Sequence, residues 1–150
     1  MKPALLALLL LAPPRDLVTV TPPETPFAAR RGETLEVAVK FQVAAGYHIN
    51  SHKPSLDYLI PTRVEWSASK LKHLGDAFPP AALKSFSFSP DKKLAVYEGA
   101  QTLKSRFAVP AGAPPGRLVL EGRLHYQACD DKACYPPTSV SFQAPVEVRR

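Results

Sequence analysis

Leu35-Glu36-Val37-Ala38-Val39-Lys40-Phe41-Gln42-Val43 sets an apolar side chain at every second position, with polar or small residues between. Successive strand side chains point to opposite faces, so this stretch reads as a β-strand with one buried and one wet face. Ala45-Gly46 then turns the chain into the polar and aromatic run Tyr47-His48-Ile49-Asn50-Ser51-His52-Lys53-Pro54. Before the strand, a brief alternation at 17–21 is broken by Thr21-Pro22-Pro23-Glu24-Thr25-Pro26, which reads as an edge strand followed by a linker.

Further strands are expected at 62–68, where Val64 and Trp66 alternate with Arg63, Glu65 and Ser67, and at 84–88 and 103–109. Residues 70–80 read as irregular, and 95–99 as the approach to the strand at 103–109. Pro110-Ala111-Gly112-Ala113-Pro114-Pro115-Gly116 is a loop. Leu118, Leu120, Leu124 and Tyr126 share one face of a strand, and Val140, Phe142, Ala144, Val146 and Val148 share one face of the last. These two should pair as a long antiparallel hairpin. Seven to nine short strands with turn signals and no sustained helical period predict an all-β fold, an immunoglobulin-like antiparallel β-sandwich.

The 150 residues suit one domain with one hydrophobic core. Seventeen prolines against seven glycines favour strands joined by Pro-rich turns over long helices. The formal charge of +6 is scattered apart from short pairs such as Arg30-Arg31 and Lys92-Lys93. No basic tract interleaved with aromatics is present, so nucleic acid is not expected as a partner. Met1-Lys2-Pro3 and the apolar run 4–12 have the layout of a secretory signal and fall far short of a membrane span. The expected division is a signal peptide at 1–16, an edge strand and Pro-rich lead at 17–29, and an immunoglobulin-like domain at 30–150. Export would place the chain where disulfides persist.

Its only two cysteines, Cys129 and Cys134, lie in the connection Tyr126-Gln127-Ala128-Cys129-Asp130-Asp131-Lys132-Ala133-Cys134-Tyr135-Pro136-Pro137. Opposed positions of an antiparallel pair are close enough for a disulfide. Closing a loop of about six residues removes only ~2 kcal/mol of unfolded-chain entropy, so the bridge is a weak staple. Lys132 favours a thiolate here, whereas Asp130 and Asp131 oppose it. A reversible dithiol/disulfide that exchanges with other proteins is the leading reading; a structural disulfide and a metal site stay open beside it. The metal reading lacks the second cysteine pair of a structural zinc site. Cys-His nucleophilic catalysis finds no motif, and His48, His52, His73 and His125 read as surface histidines.

At this loop the chain resembles the N-terminal periplasmic domain of the thiol:disulfide interchange protein DsbD, the family of disulfide bond corrector proteins. The likeness rests on Tyr126-Gln127-Ala128-Cys129, Cys134-Tyr135-Pro136-Pro137, Gly46-Tyr47-His48-Ile49-Asn50-Ser51, Ser85-Phe86-Ser87-Phe88 and Tyr97-Glu98-Gly99, across about residues 30 to 148. It implies a periplasmic, monomeric domain that acts as a protein-disulfide reductase component with no cofactor and no metal. Electrons would come from a membrane thiol reductase through a thioredoxin-like protein and pass to oxidised periplasmic proteins, cytochrome c biogenesis being one such use. Carried over, Cys134 is the attacking thiol and Cys129 the resolving one, with Tyr97 as an aromatic shield and Tyr47 beneath it. The family pattern has one more residue between the cysteines. The membrane and thioredoxin-like domains are not in this sequence, so the donor is expected to be a separate protein. The alternative is an exported immunoglobulin-like binding module with an inert disulfide.

Overall fold

Alternation becomes burial along β3 (Thr34–Val43): Leu35, Val37, Val39, Phe41 and Val43 are all buried, and Glu36, Lys40 and Gln42 between them are exposed. The computed structural model describes residues 16–150, so all but the last residue of the expected signal peptide lies outside the described residues. The other strands are β1 (Val18–Thr21), β2 (Phe27–Arg30), β4 (His48–Asn50), β5 (Arg63–Trp66), β6 (Lys72–Ala77), β7 (Ala82–Phe86), β8 (Ser89–Tyr97), β9 (Ala100–Ala108), β10 (Gly116–Tyr126), β11 (Ala128–Cys129) and β12 (Thr138–Arg149). Among the described residues there is no helix.

Two four-stranded sheets, ordered β1-β3-β9-β6 and β2-β12-β10-β5, pack their apolar faces together. The chain is an all-β, immunoglobulin-like sandwich. The expected hairpin runs from Gly116 opposite Val148 to Tyr126 opposite Thr138 without a register break. Leu120, Leu124, Ala144, Val146 and Val148 meet the β3 face in one core, which also takes in Leu103 and Phe107 of β9. Trp66 wedges between Phe107 and Phe142 at centroid distances of 5.1 and 5.3 Å, both edge-on. Its indole N–H donates to the buried Ser105 hydroxyl at 3.0 Å. One pair departs from the antiparallel pattern, because β2 runs parallel to β12.

The third sheet, β11-β4-β8-β7, carries Cys129 at the end of β11, with Cys134 in the turn beyond it. Two sequence expectations need correction. Residues 70–80 hold β6, which pairs with β9 across a register shift between His73 and Gly75. Its side chains are mostly exposed, and an outer strand needs backbone partners but no buried face, so it left no alternation to read. Residues 84–88 span the end of one strand and the tip of a hairpin instead of forming one strand: β7 ends at Phe86 and β8 starts at Ser89, so 95–97 closes β8 and Glu98-Gly99 leads into β9.

Candidate functional site

After Tyr126 the chain leaves its partner in the long hairpin. In β11, Ala128 pairs with Ile49 and Cys129 with His48 of β4. The peptide then turns through Asp130-Asp131-Lys132-Ala133, and Cys129 and Cys134 are joined as a disulfide with Cα atoms 4.0 Å apart. Asp130 shapes this turn. Its Oδ1 accepts the backbone N–H groups of Lys132 and Ala133 at 2.8 Å each, and its Oδ2 accepts the Tyr135 hydroxyl at 2.7 Å. An aspartate that takes up nearby backbone donors substitutes for secondary structure in a short loop. The Tyr135 hydroxyl and those two amides hold the Asp130 carboxyl below its usual range, and the same carboxylate pushes the Tyr135 phenol up to about 12. The Asp130 charge is thus engaged inside the turn.

A polar knot fixes the base of the loop. Buried Asn50 donates through its amide to the Ile60 carbonyl at 3.0 Å and to the Gln127 Oε1 at 3.1 Å. The same Gln127 oxygen accepts the Ile60 N–H, and its amide donates to the Tyr135 carbonyl at 3.3 Å. The Tyr135 N–H returns to the Ala128 carbonyl at 2.8 Å. The Asn50 amide N–H groups and the Gln127 side chain are thereby paired, while the Asn50 Oδ1 is buried without a partner among the described residues.

The two sulfur-bearing residues are unlike. Cys129 is 0% exposed, whereas Cys134 stands on the surface. Against them rests the β7–β8 hairpin: Phe86 stacks on His48 at 4.2 Å, Phe88 on Phe86 at 5.3 Å, and the Ser87 hydroxyl donates to the Asp131 carbonyl at 2.9 Å. Beside the loop opens a cleft of about 430 Å³ lined by Tyr47, His48, Phe86, Glu98 and Asp131, among others. Gly46, at φ 82°, makes the turn that brings Tyr47 and His48 to it, with the Tyr47 N–H on the Ala44 carbonyl.

Of the two tyrosines singled out in the sequence, Tyr47 reaches the loop, its ring 6.1 Å from that of Tyr135. Tyr97 pairs with Ile49, which in turn pairs with Ala128, so it lies one row over from Cys129 and faces the other side of the sheet. It is fully buried, edge-on to Phe41 at 6.4 Å, with its hydroxyl 2.7 Å from His52 Nδ1.

The histidines divide in a way their sequence context does not show. His73 meets Asp76 at 2.9 Å, and the His125 Nε2, buried without a hydrogen bond, lies 3.4 Å from Glu65. His48, expected on the surface, is 2% exposed, and its Nε2 is shut from solvent without a hydrogen-bond partner. Burial pulls its imidazole below the usual range; Glu98 and Asp130 oppose that, and Lys84 adds to it. A residue in the turn-flanked run Gly46-Tyr47-His48 gives no local sign of the strand it will pair with. The signal existed only as the pair of runs around His48 and Cys129.

The model of the family described as "Thiol:disulfide interchange protein DsbD, N-terminal" matches residues 17–145. No curated protein sequence matches the chain. Among solved structures, the reduced N-terminal domain of Neisseria meningitidis DsbD aligns at 22% identity and TM-score 0.51, over 89% of this chain and 88% of that one. The N-terminal periplasmic domain of ScsB from Proteus mirabilis aligns at 12% identity and TM-score 0.54, over 85% of this chain and 44% of that one. At these identities the two structures speak for the fold.

Proposed function

Because this chain belongs to the family of the N-terminal domain of the thiol:disulfide interchange protein DsbD, we propose that it relays electrons by disulfide exchange through Cys129 and Cys134. The observation that carries this reading is the unequal burial of the pair, with Cys134 open and Cys129 enclosed. Exchange needs a thiolate to approach a sulfur along the bond it breaks, and only Cys134 offers that approach. Cys134 therefore attacks the partner disulfide and forms the mixed disulfide, and Cys129 resolves it from behind. A bridge that served only as a staple would gain little from a loop this small.

The electrons enter from a thioredoxin-like protein or a membrane thiol reductase and leave to oxidised exported proteins. ScsB's matched domain is periplasmic by name, and an oxidising compartment suits a protein of this kind. Residues 1–16 would then be the export signal, 17–29 the lead whose strands pad the sandwich edges, and 30–150 the exchange domain. The shield that an exposed redox pair needs is best supplied by Phe86 and Phe88 on the β7–β8 hairpin. Tyr47 flanks it at Tyr135, and Tyr97 backs the sheet from the core side.

With a thioredoxin-like domain carrying a single reactive cysteine as bait, Cys129→Ser should accumulate the mixed disulfide and Cys134→Ser should form none. Equal capture by both variants removes the assigned polarity. The reduction potential tests the whole reading, since an inert bridge lies below about −300 mV and a relay above it.

A further inference from the structure

We propose that His48 takes and returns the proton of Cys129, which it faces across the β11–β4 pairing, and that Glu98, just past the end of β8 on the same cleft, positions it. The inference rests on Cys129 being the resolving thiol. Cys129 is opposite His48 in β11 and β4. Between β4 and β8 the register runs Asn50 to Val96 and Ile49 to Tyr97, and Glu98 follows directly after the end of β8, on the side of His48. Opposed residues project from the same face of a sheet, with Cα atoms about 4.5–5.5 Å apart. The β11–β4 pairing therefore places thiol and imidazole side by side, and Glu98 lines the same cleft as His48.

Chemistry calls for such a group. Cys129 is wholly buried, and burial in apolar surroundings keeps a reduced cysteine protonated. A thiol must lose its proton to attack, and no water reaches this one directly. The base has to be within reach, neutral beforehand and free to accept. The strand register puts His48 beside Cys129, its Nε2 has no hydrogen-bond partner among the described residues, and Phe86 is stacked on its ring. The charged groups around it come from every side. Glu98 follows β8, Lys84 of β7 forms an ion pair with Glu98, and Asp130 and Asp131 belong to the cysteine loop. Tyr47, the neighbour of His48 in sequence, is the remaining titratable group on the cleft.

The step balances as follows. With Cys134 bonded to a partner sulfur, the Cys129 proton moves to His48 Nε2. The Cys129 sulfur then bonds to the Cys134 sulfur, the Cys134–partner bond breaks, and its electron pair leaves on the partner sulfur. The imidazolium gives its proton to that thiolate or to water. The dithiol is oxidised by two electrons and the partner disulfide is reduced by two. In reverse, a thiolate attacks Cys134, and Cys129 departs and is protonated by His48.

The test uses the full chain, reduced, mixed with 5,5′-dithiobis(2-nitrobenzoate). Capture by Cys134 releases the first coloured thiolate and resolution by Cys129 the second. In His48→Gln the ratio of second-phase to first-phase rate at pH 7 should fall at least tenfold, and in Glu98→Gln about threefold, with the pH profile of the second phase displaced upward. An unchanged ratio and profile in folded His48→Gln overturns the proposal. Loss of the first phase on Cys134→Ser, retained on Cys129→Ser, checks the underlying relay separately; its failure sinks that reading instead. In the unsubstituted protein, NMR titration of the His48 ring should move upward when the disulfide is reduced, and an identical titration in both states also overturns the proposal.

Discussion

The sandwich and the cysteine sheet are built on opposite terms. β3, β10 and β12 run 10, 11 and 12 residues and put an unbroken apolar face into one core. β11 and β4 have two and three residues, side-chain hydrogen bonds of Asn50 and Gln127 fasten the cysteine loop at its base, and those of Asp130 shape its turn. Burial of apolar area is a global property of the domain, whereas a polar clasp can be loosened alone. The two meet where Ile49, Tyr97 and Ala128 of the cysteine sheet enter the sandwich core, while the turn that carries Cys134 stands outside it.

Substitutions that affect one region and spare the other sharpen that contrast. Phe107→Ala, on the sandwich side, removes a ring that is 1% exposed and packed on Trp66, and should cost about 3–5 kcal/mol in urea unfolding while leaving the thiol exchange rates alone. Parallel losses in both would mean that the two regions are one cooperative unit. Gly122→Ala comes next: its new Cβ would overlap the Phe142 ring, which packs edge-on with Trp66, for about 1–3 kcal/mol by the same measurement. A stability equal to that of the parent would show that the ring can swing away.

On the loop side the expected effects are smaller and kinetic. Phe86→Ala should speed reduction of the disulfide by glutathione several-fold with little change in unfolding midpoint, because it removes the ring stacked on His48. An unaltered rate would place the shield elsewhere. The smallest effect concerns Asp130. Its folded carboxyl is held below the usual range, so its contribution is whole above about pH 4, the unfolded value, and is lost as the pH falls through the folded one. Amide exchange at Lys132 and Ala133, corrected for its intrinsic pH dependence, should accelerate over that acid window, and Asp130→Asn should abolish the transition. Persistence of the transition in the variant would assign it to another group.

Much of the sandwich was legible because Leu35 through Val43 and the strands ending at Tyr126 and Val148 carry their burial in a period of two. β6 was not, since Lys72–Ala77 presents no buried face and holds its place by backbone bonds to β9. The hairpin tip at Phe86 and Phe88 was read as a strand for the opposite reason, its alternation being real but interrupted by a reversal. At the site, the cysteine pair and the aromatic run beside it were visible, and the different surroundings of the two sulfurs were not.

The amino-acid sequence alone determined which faces must be buried, that two thiols lie within a short turn, and the family to which those pieces belong. Only the tertiary structure decided that Cys129 is enclosed while Cys134 is open, that Tyr97 turns into the core, and that His48 stands opposite Cys129. Alternation is written locally, residue by residue. Strand pairing joins segments some eighty positions apart, and its register follows from how the whole core packs.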